Sequence, residues 1–261
     1  MLTQRVIVCL DVQGGRVVKG AQFEDLRDVG DPVALSARYE REGADEITFL
    51  DISASAEARS TLLDVARRTA ERLFIPLTIG GGVRSADDVA RVLRAGADKV
   101  ALNSAAVLRP QLLTEAADRF GAQCVVASID AKRGANGAWR VWVKGGREET
   151  PLEPVAWAQE CVARGAGEVL LTSIDRDGAR TGYDLALTRA VADAVPVPVI
   201  ASGGAGRASH LVDAIVLGHA DAVLVAGILH DGVTTVRALK HDMRVAGLSV
   251  RDVDITSEVA A

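Results

Sequence analysis

The order of short motifs in this chain runs through twice. Val8-Cys9-Leu10-Asp11 is followed by Gly15-Arg16-Val17-Val18-Lys19-Gly20, and Ala127-Ser128-Ile129-Asp130 by Arg140-Val141-Trp142-Val143-Lys144-Gly145. Thr78-Ile79-Gly80-Gly81-Gly82 returns as Ala201-Ser202-Gly203-Gly204. Gly96-Ala97-Asp98-Lys99-Val100 returns as His219-Ala220-Asp221-Ala222-Val223. Between these motifs, short β-branched runs alternate with amphipathic stretches, the mark of βα units. Each half holds four such units and alone would leave open sheet edges, so the two halves are expected to close on each other. The expected fold is α/β, a (βα)8 barrel of two tandem (βα)4 half-barrels. It would form one domain over 1–261, with halves at roughly 1–122 and 123–247 and a patternless tail, 248–261, that frays.

The spacing predicts eight strands, at 5–11, 46–51, 76–80, 99–103, 124–130, 168–174, 197–202 and 221–226. Helix starts are signalled by Asp31-Pro32, by Ser60, and by Ser85 with Asp88 at capping-box distance. Gly43, Gly96 and Gly165 stand where helices should stop. Two connections are long and therefore functional candidates, 12–30 after the first strand and 131–153 after the fifth. The second contains Trp139-Arg140-Val141-Trp142-Val143, read as a small hairpin. The length of 261 residues is near the ~250 usual for such barrels. Apolar residues make up 49% with only 3% aromatics, which suits small aliphatic side chains packed between parallel strands and helices.

In this fold the active site lies at the C-terminal strand ends. Acidic residues stand there on the first, second, fifth and sixth strands: Asp11, Asp51, Asp130 and Asp175. Asp11 and Asp130 hold equivalent places in the two halves and should face each other across the mouth. Two such carboxyl groups can divide proton donation and acceptance. Asp51 and Asp175 fit substrate hydroxyl binding or loop support. Glycine turns follow the third and seventh strands, Gly81-Gly82 and Gly203-Gly204, and the fourth and eighth strands end in Asn103-Ser104 and Ala226-Gly227. Glycine lets backbone N–H groups approach an anion, and a helix start favours negative charge. Two phosphate sites on opposite rims of a barrel roughly 15 Å across suit a long molecule with a phosphate at each end. Lys19, on the first long loop, is placed either to reach over a substrate or to stay in solvent.

At the opposite rim, Arg5, Glu46, Lys99 and Glu168 begin the first, second, fourth and sixth strands. They could form a salt-bridged polar plug or a gate for a small molecule, and spacing alone leaves both open. The net charge of −5 argues against a nucleic-acid partner, and no apolar run is long enough to span a membrane. Met1-Leu2-Thr3-Gln4-Arg5 lacks the layout of a signal peptide. Cys9, Cys124 and Cys161 are scattered through apolar stretches, as in a reduced, cytoplasmic protein. No nucleotide fingerprint, metal spacing or nucleophile turn is present, so no cofactor and no metal is expected.

These residues resemble the cyclase subunit family of imidazole glycerol phosphate synthase, from histidine biosynthesis. The likeness rests on RVIVCLDVQGGRVVKG (5–20), FEDLRDVGDP (23–32), TIGGG (78–82), GADKVALNS (96–104), IDAKR (129–133), GAGEVLLTSIDRDG (165–178) and ASGGAG (201–206), and it spans nearly the whole chain. It implies a TIM-barrel lyase that binds phosphoribulosyl-formimino-aminoimidazole carboxamide ribotide, adds ammonia, cleaves the molecule and closes an imidazole ring. The products would be imidazole glycerol phosphate and aminoimidazole carboxamide ribotide. The family's catalytic pair falls on Asp11 and Asp130, with Asp130 the acid as ammonia attacks and Asp11 the acid–base group in cleavage and cyclisation. The resemblance also implies a heterodimer with a glutaminase subunit docked beneath the barrel and touched by Asp98. Arg5, Glu46, Lys99 and Glu168 would then gate ammonia. Two departures stand out. Gly227 stands where family members can have a hydroxyl residue, and the hairpin around Trp139 differs in length and composition. The alternatives are the sister isomerase barrel of the same pathway and a non-catalytic barrel that binds a phosphorylated metabolite.

Overall fold

The computed structural model describes residues 3–21, 24–52 and 56–252. In chain order its elements are β1 (Arg5–Gln13), β2 (Arg16–Ala21), β3 (Glu24–Gly30), α1 (Pro32–Arg41), β4 (Glu46–Asp51), α2 (Ala56–Ala70), β5 (Leu77–Gly80), α3 (Ala86–Arg94) and β6 (Lys99–Leu102). There follow α4 (Ser104–Leu108), α5 (Gln111–Phe120), β7 (Val125–Arg133), β8 (Trp139–Val143), β9 (Glu148–Glu149), α6 (Pro154–Ala163) and β10 (Glu168–Ser173). The chain continues through α7 (Leu185–Ala192), β11 (Val199–Ser202), α8 (Ala208–Val216), β12 (Ala222–Val225), α9 (Gly227–His230) and α10 (Val236–Val245).

Eight strands, β1, β4, β5, β6, β7, β10, β11 and β12, pair side by side in parallel, and β12 returns to β1. This is the closed (βα)8 barrel, and its eight strands fall where the sequence pattern places them. Side chains alternate across each strand, which sorts the apolar residues into two cores. Ile7, Cys9, Ala101, Val126, Leu170, Ile200, Ala222 and Leu224 fill the barrel interior. Their neighbours, such as Val6, Val8, Leu10, Val125, Ala127 and Ile129, face outward into the helix layer. Among the described residues no helix is long and apolar enough to cross a membrane.

Three expectations are corrected. The connection 12–30 is not a loop: Asp11, Val12 and Gln13 pair antiparallel with Val18, Val17 and Arg16, and β2 pairs on with β3. Burial of Val17 and Val18 rewards that pairing, so β1 runs on into a sheet above the barrel. Ser60 is no helix cap, because α2 begins four residues earlier, at Ala56. The tail does not fray at its start. Gln4 N donates to Ser249 O at 2.8 Å, and Arg251 reaches Asp45 Oδ1 at 2.9 Å and Ala44 O at 2.7 Å. The caps at Asp31 and Ser85 form as the sequence indicates, accepting from Ala34 N and Asp88 N. The 139–143 segment is a strand, pairing antiparallel with the extended end of β7.

The Ala-Asp echo has a structural cause at the lower rim. Asp45, Asp98 and Asp221 each precede a barrel strand. Their carboxylates accept from the backbone N–H of Val6, Leu77 and Val199 at 2.8, 2.8 and 2.9 Å. Each aspartate's own N–H donates back to the carbonyl of that same residue, which starts the ladder between neighbouring strands. Asp45 carries the most. It also pairs with the fully buried Lys240, whose Nζ lies 2.7 Å from Oδ1 and 2.8 Å from Gly43 O. Burial pulls the Lys240 ammonium down from its ordinary range, and Asp45 opposes that. Asp45→Ala would leave a buried cation and the Val6 N–H without their partner. We expect it to cost about 3–5 kcal/mol in urea unfolding. A loss below about 1 kcal/mol would show that neither group depends on Asp45.

Candidate active site

The alternation that builds the inner core also runs chemistry along it. Arg5, Ile7, Cys9 and Asp11 share the inward face of β1, and Val126, Ser128 and Asp130 share that of β7. Asp11 and Asp130 thus stand at the upper mouth on strands four places apart around the barrel. Both carboxyls are only partly accessible. Burial, with a smaller push from the Asp177 carboxylate, raises Asp11 to about 7. Burial also raises Asp130 to about 7, against the pull of the Asn103 amide, which donates to Asp130 Oδ2 at 2.8 Å, and with a further push from Asp177. Near neutrality both carboxyls are therefore poised between acid and base.

Asp177 is the residue that the sequence reading missed. It follows β10, is itself raised by burial, and is steadied by the Gly178 N–H. Asp175, chosen from the same run, instead accepts from Arg133 N at 2.9 Å and supports the extended end of β7. The one local signal favouring Asp177 is the glycine behind it. Asp51 closes β4 in register with Val12. His230 was not singled out either. Its Nε2 donates to Cys9 O at 3.0 Å, so its Nδ1 accepts from Tyr39 Oη at 2.7 Å. Burial lowers it to about 4, and a neutral imidazole ties α9 to β1 two residues before Asp11.

The glycine turns match in the two halves. Gly81 has φ 94°, and a Cβ there would lie 2.3 Å from Asp51 O. Gly203 has φ 90°, with Ser173 O at 2.6 Å. Only glycine can lay the backbone so close over the ends of β4 and β10. Gly82 (φ 67°) and Gly204 (φ 108°) continue the two turns. The rims beside them differ. At the end of β6 the Asn103 side chain is committed to Asp130, and Ser104 Oγ accepts from Lys144 N of the β8 hairpin at 2.8 Å. At the end of β12, past Ala226, Lys19 comes over from β2 and donates to Gly227 O at 3.1 Å. A Cβ on Gly227 would meet Lys19 Nζ at 3.3 Å, so glycine makes room for the lysine. Lys19, Arg27 and Arg180 all pair with Asp231, whose carboxyl is pulled down to about 2, first by the Lys19 bond. Three cations share one carboxylate at this rim.

At the lower mouth the four charges close a ring. Arg5 bonds Glu46 Oε2 at 3.2 Å and pairs with Glu168, and Lys99 Nζ lies 2.8 Å from both Glu46 Oε2 and Glu168 Oε2. The Glu46 and Glu168 side chains are 2% and 7% exposed, which makes full pairing necessary. Burial pulls the Arg5 and Lys99 cations down, but the two carboxylates outweigh it and hold both above their ordinary values.

The chain is similar to known proteins over nearly all its length. The family model described as "Histidine biosynthesis protein" matches residues 5–235. An "Imidazole glycerol phosphate synthase subunit HisF" from Myxococcus xanthus (strain DK1622) is 73% identical over 251 residues, 96% of this chain and 99% of that protein. Proteins of the same name from Synechococcus sp. (strain CC9605) and Geobacillus kaustophilus (strain HTA426) are each 58% identical, over 96% of this chain and 100% of theirs.

The raised carboxyls set a pH dependence of stability. A carboxyl raised on folding favours the folded state below its unfolded value near 4, and that support is lost as the pH rises through about 7. Asp11→Asn and Asp130→Asn should therefore each stabilise the fold at pH 8 by about 2–4 kcal/mol, with the gain vanishing near pH 4. Urea midpoints at the two pH values test this. Equal midpoints for variant and wild type at pH 8 would mean that both carboxyls ionise at ordinary values.

Proposed function

The chain belongs to the histidine biosynthesis protein family and within it is the cyclase subunit of imidazole glycerol phosphate synthase, and on that premise we propose how its own residues carry the reaction. The substrate is phosphoribulosyl-formimino-aminoimidazole carboxamide ribotide. One phosphate rests on Gly81, Gly82, Asn103 and Ser104, the other on Gly203, Gly204, Ala226 and Gly227. Glycine turns under both rims support this, as does the cation group at the second one. Asp130 gives a proton to the ribulose carbonyl oxygen as ammonia adds to the carbonyl carbon. Asp11 serves as acid and base while the molecule is cleaved and the imidazole closes. The ammonia adduct loses water to become an imine, aminoimidazole carboxamide ribotide leaves with the cleavage, and imidazole glycerol phosphate with ring closure.

The observation that carries this reading is the pair itself: two carboxyls on equivalent strands, both held near pKa 7 where they can donate and accept at neutral pH. Asp177 keeps its negative field on both and so helps them hold their protons. Lys19, released from Asp231 by a competing phosphate, would cover the substrate and exclude water. Asp51 and Asp175 hold the loops around the mouth. The isomerase alternative is set aside by the names of the relatives.

As a synthase subunit the chain works with a second subunit. We take that partner to be a glutaminase seated on the lower mouth, with Asp98 at its edge and ammonia passing the Arg5–Glu46–Lys99–Glu168 ring. Small inner residues such as Cys9, Ala101 and Ala222 support a narrow path above the ring. A lack of membrane-spanning helices among the described residues and the family's biosynthetic chemistry fit a cytoplasmic enzyme.

The purified chain should form imidazole glycerol phosphate from the bisphosphate ribotide and ammonium salt at alkaline pH. Asp11→Asn and Asp130→Asn should each lower turnover by about 10²–10⁴-fold while ligand affinity stays within a few-fold. Equal turnover in either variant would remove that residue from the mechanism. Arg5→Ala should leave ammonium-dependent turnover within about twofold but raise the glutamine consumed per product when the partner is present. An unchanged ratio would return the ring to a plug.

A further inference from the structure

Five buried side-chain atoms among the described residues have no hydrogen-bond partner: Gln4 Oε1, Ser36 Oγ, Thr69 Oγ1, Ser173 Oγ and Trp142 Nε1. A buried polar group without a partner is costly, so each raises the question of what it serves. Gln4 lies at the lower rim, Ser36 and Thr69 lie in α1 and α2, and Ser173 lies on the outward face of β10. Trp142 is the one beside the chemistry. It stands on β8 directly opposite Asp130 in the antiparallel register, and residues so paired project on the same face of the sheet. That is the face on which Asp130 lines the mouth. Lys132, two residues on from Asp130, places its ammonium 5.1 Å from the centre of the Trp142 ring. The next turn of the same hairpin docks on the phosphate rim through Lys144 N and Ser104 Oγ.

An indole N–H can only donate. Resting on the reading above, we propose that Trp142 is a substrate-binding residue. Its Nε1–H donates to an oxygen, hydroxyl or phosphate ester, on the part of the bisphosphate ribotide that lies between Asp130 and the rim at Ser104. The indole thus supplies a directed bond from the side wall, in addition to what the rims offer. By contrast, the Trp139 indole already bonds Asp184 at 3.2 Å, and Trp157, on α6, packs into the outer hydrophobic core.

The test is Trp142→Phe, which keeps a flat apolar ring and removes the N–H. With ammonium as the nitrogen source, KM for the bisphosphate ribotide should rise roughly three- to tenfold while kcat stays within about twofold. A KM within about twofold of wild type overturns the proposal, whatever happens to kcat. If the variant does not fold, wild-type protein labelled with 15N-tryptophan decides. The chain has three tryptophans, so three indole resonances are expected, and Trp139→Phe together with Trp157→Phe assigns the remaining one to Trp142. The Trp142 resonance should move downfield as the bisphosphate is added, and an unmoved resonance overturns the proposal. This titration needs no turnover. A wild-type chain that makes no imidazole glycerol phosphate would fail the catalytic reading, while the indole signal still judges Trp142 separately.

Discussion

Everything in this molecule hangs on the two-residue alternation of its closed parallel barrel. Once β12 returns to β1, every second side chain on eight strands must point inward, and those side chains stack in layers. The bottom layer holds Arg5, Glu46, Lys99 and Glu168. The middle is mainly apolar, with Ile7, Cys9, Ala101, Val126 and Leu170 beside Ser128. The top carries Asp11, Asn103 and Asp130. Charge at both ends of an apolar plug is tolerable only because each end meets its own partners. At the bottom these are ion pairs with four members, and at the top protonation takes their place.

Burial therefore acts in opposite ways at the two mouths. Below, Glu46 and Glu168 lie close enough to Arg5 and Lys99 for Coulomb attraction to outweigh desolvation, and the cations stay charged. Above, Asp11 and Asp130 have an acidic neighbour, Asp177, and among the described groups that shift them only the Asn103 amide pulls the other way. Desolvation then prevails, and the carboxyls hold protons near neutral pH, as proton donors require.

The repeat built two similar rims, and the added hairpins then made them different. Both halves extend their first strand upward and add an antiparallel partner, β2 on β1 and β8 on β7. The first partner delivers Lys19, a positive charge, to Gly227 and Asp231. The second delivers the Lys144 backbone N–H to Ser104 and sets the Trp142 indole beside Asp130. One architecture thus offers charge at one rim and directed hydrogen bonds at the other.

The sequence by itself determined whatever depends on local order. The alternation placed Arg5 and Asp11 on one face of one strand, the glycines at Gly81 and Gly203 marked the tight turns, and the duplicated motifs put Asp11 opposite Asp130. Only the tertiary structure decided what depends on residues far apart in the chain. It showed Lys19 on a strand because Val17 and Val18 pair back on β1, and it preferred Asp177 to Asp175 two positions away. It tied the tail to Asp45 through Arg251. The reason is physical: strand and turn preferences are short-range. Burial, ion pairing and the pKa of a carboxyl are set by neighbours that only the closed barrel brings together.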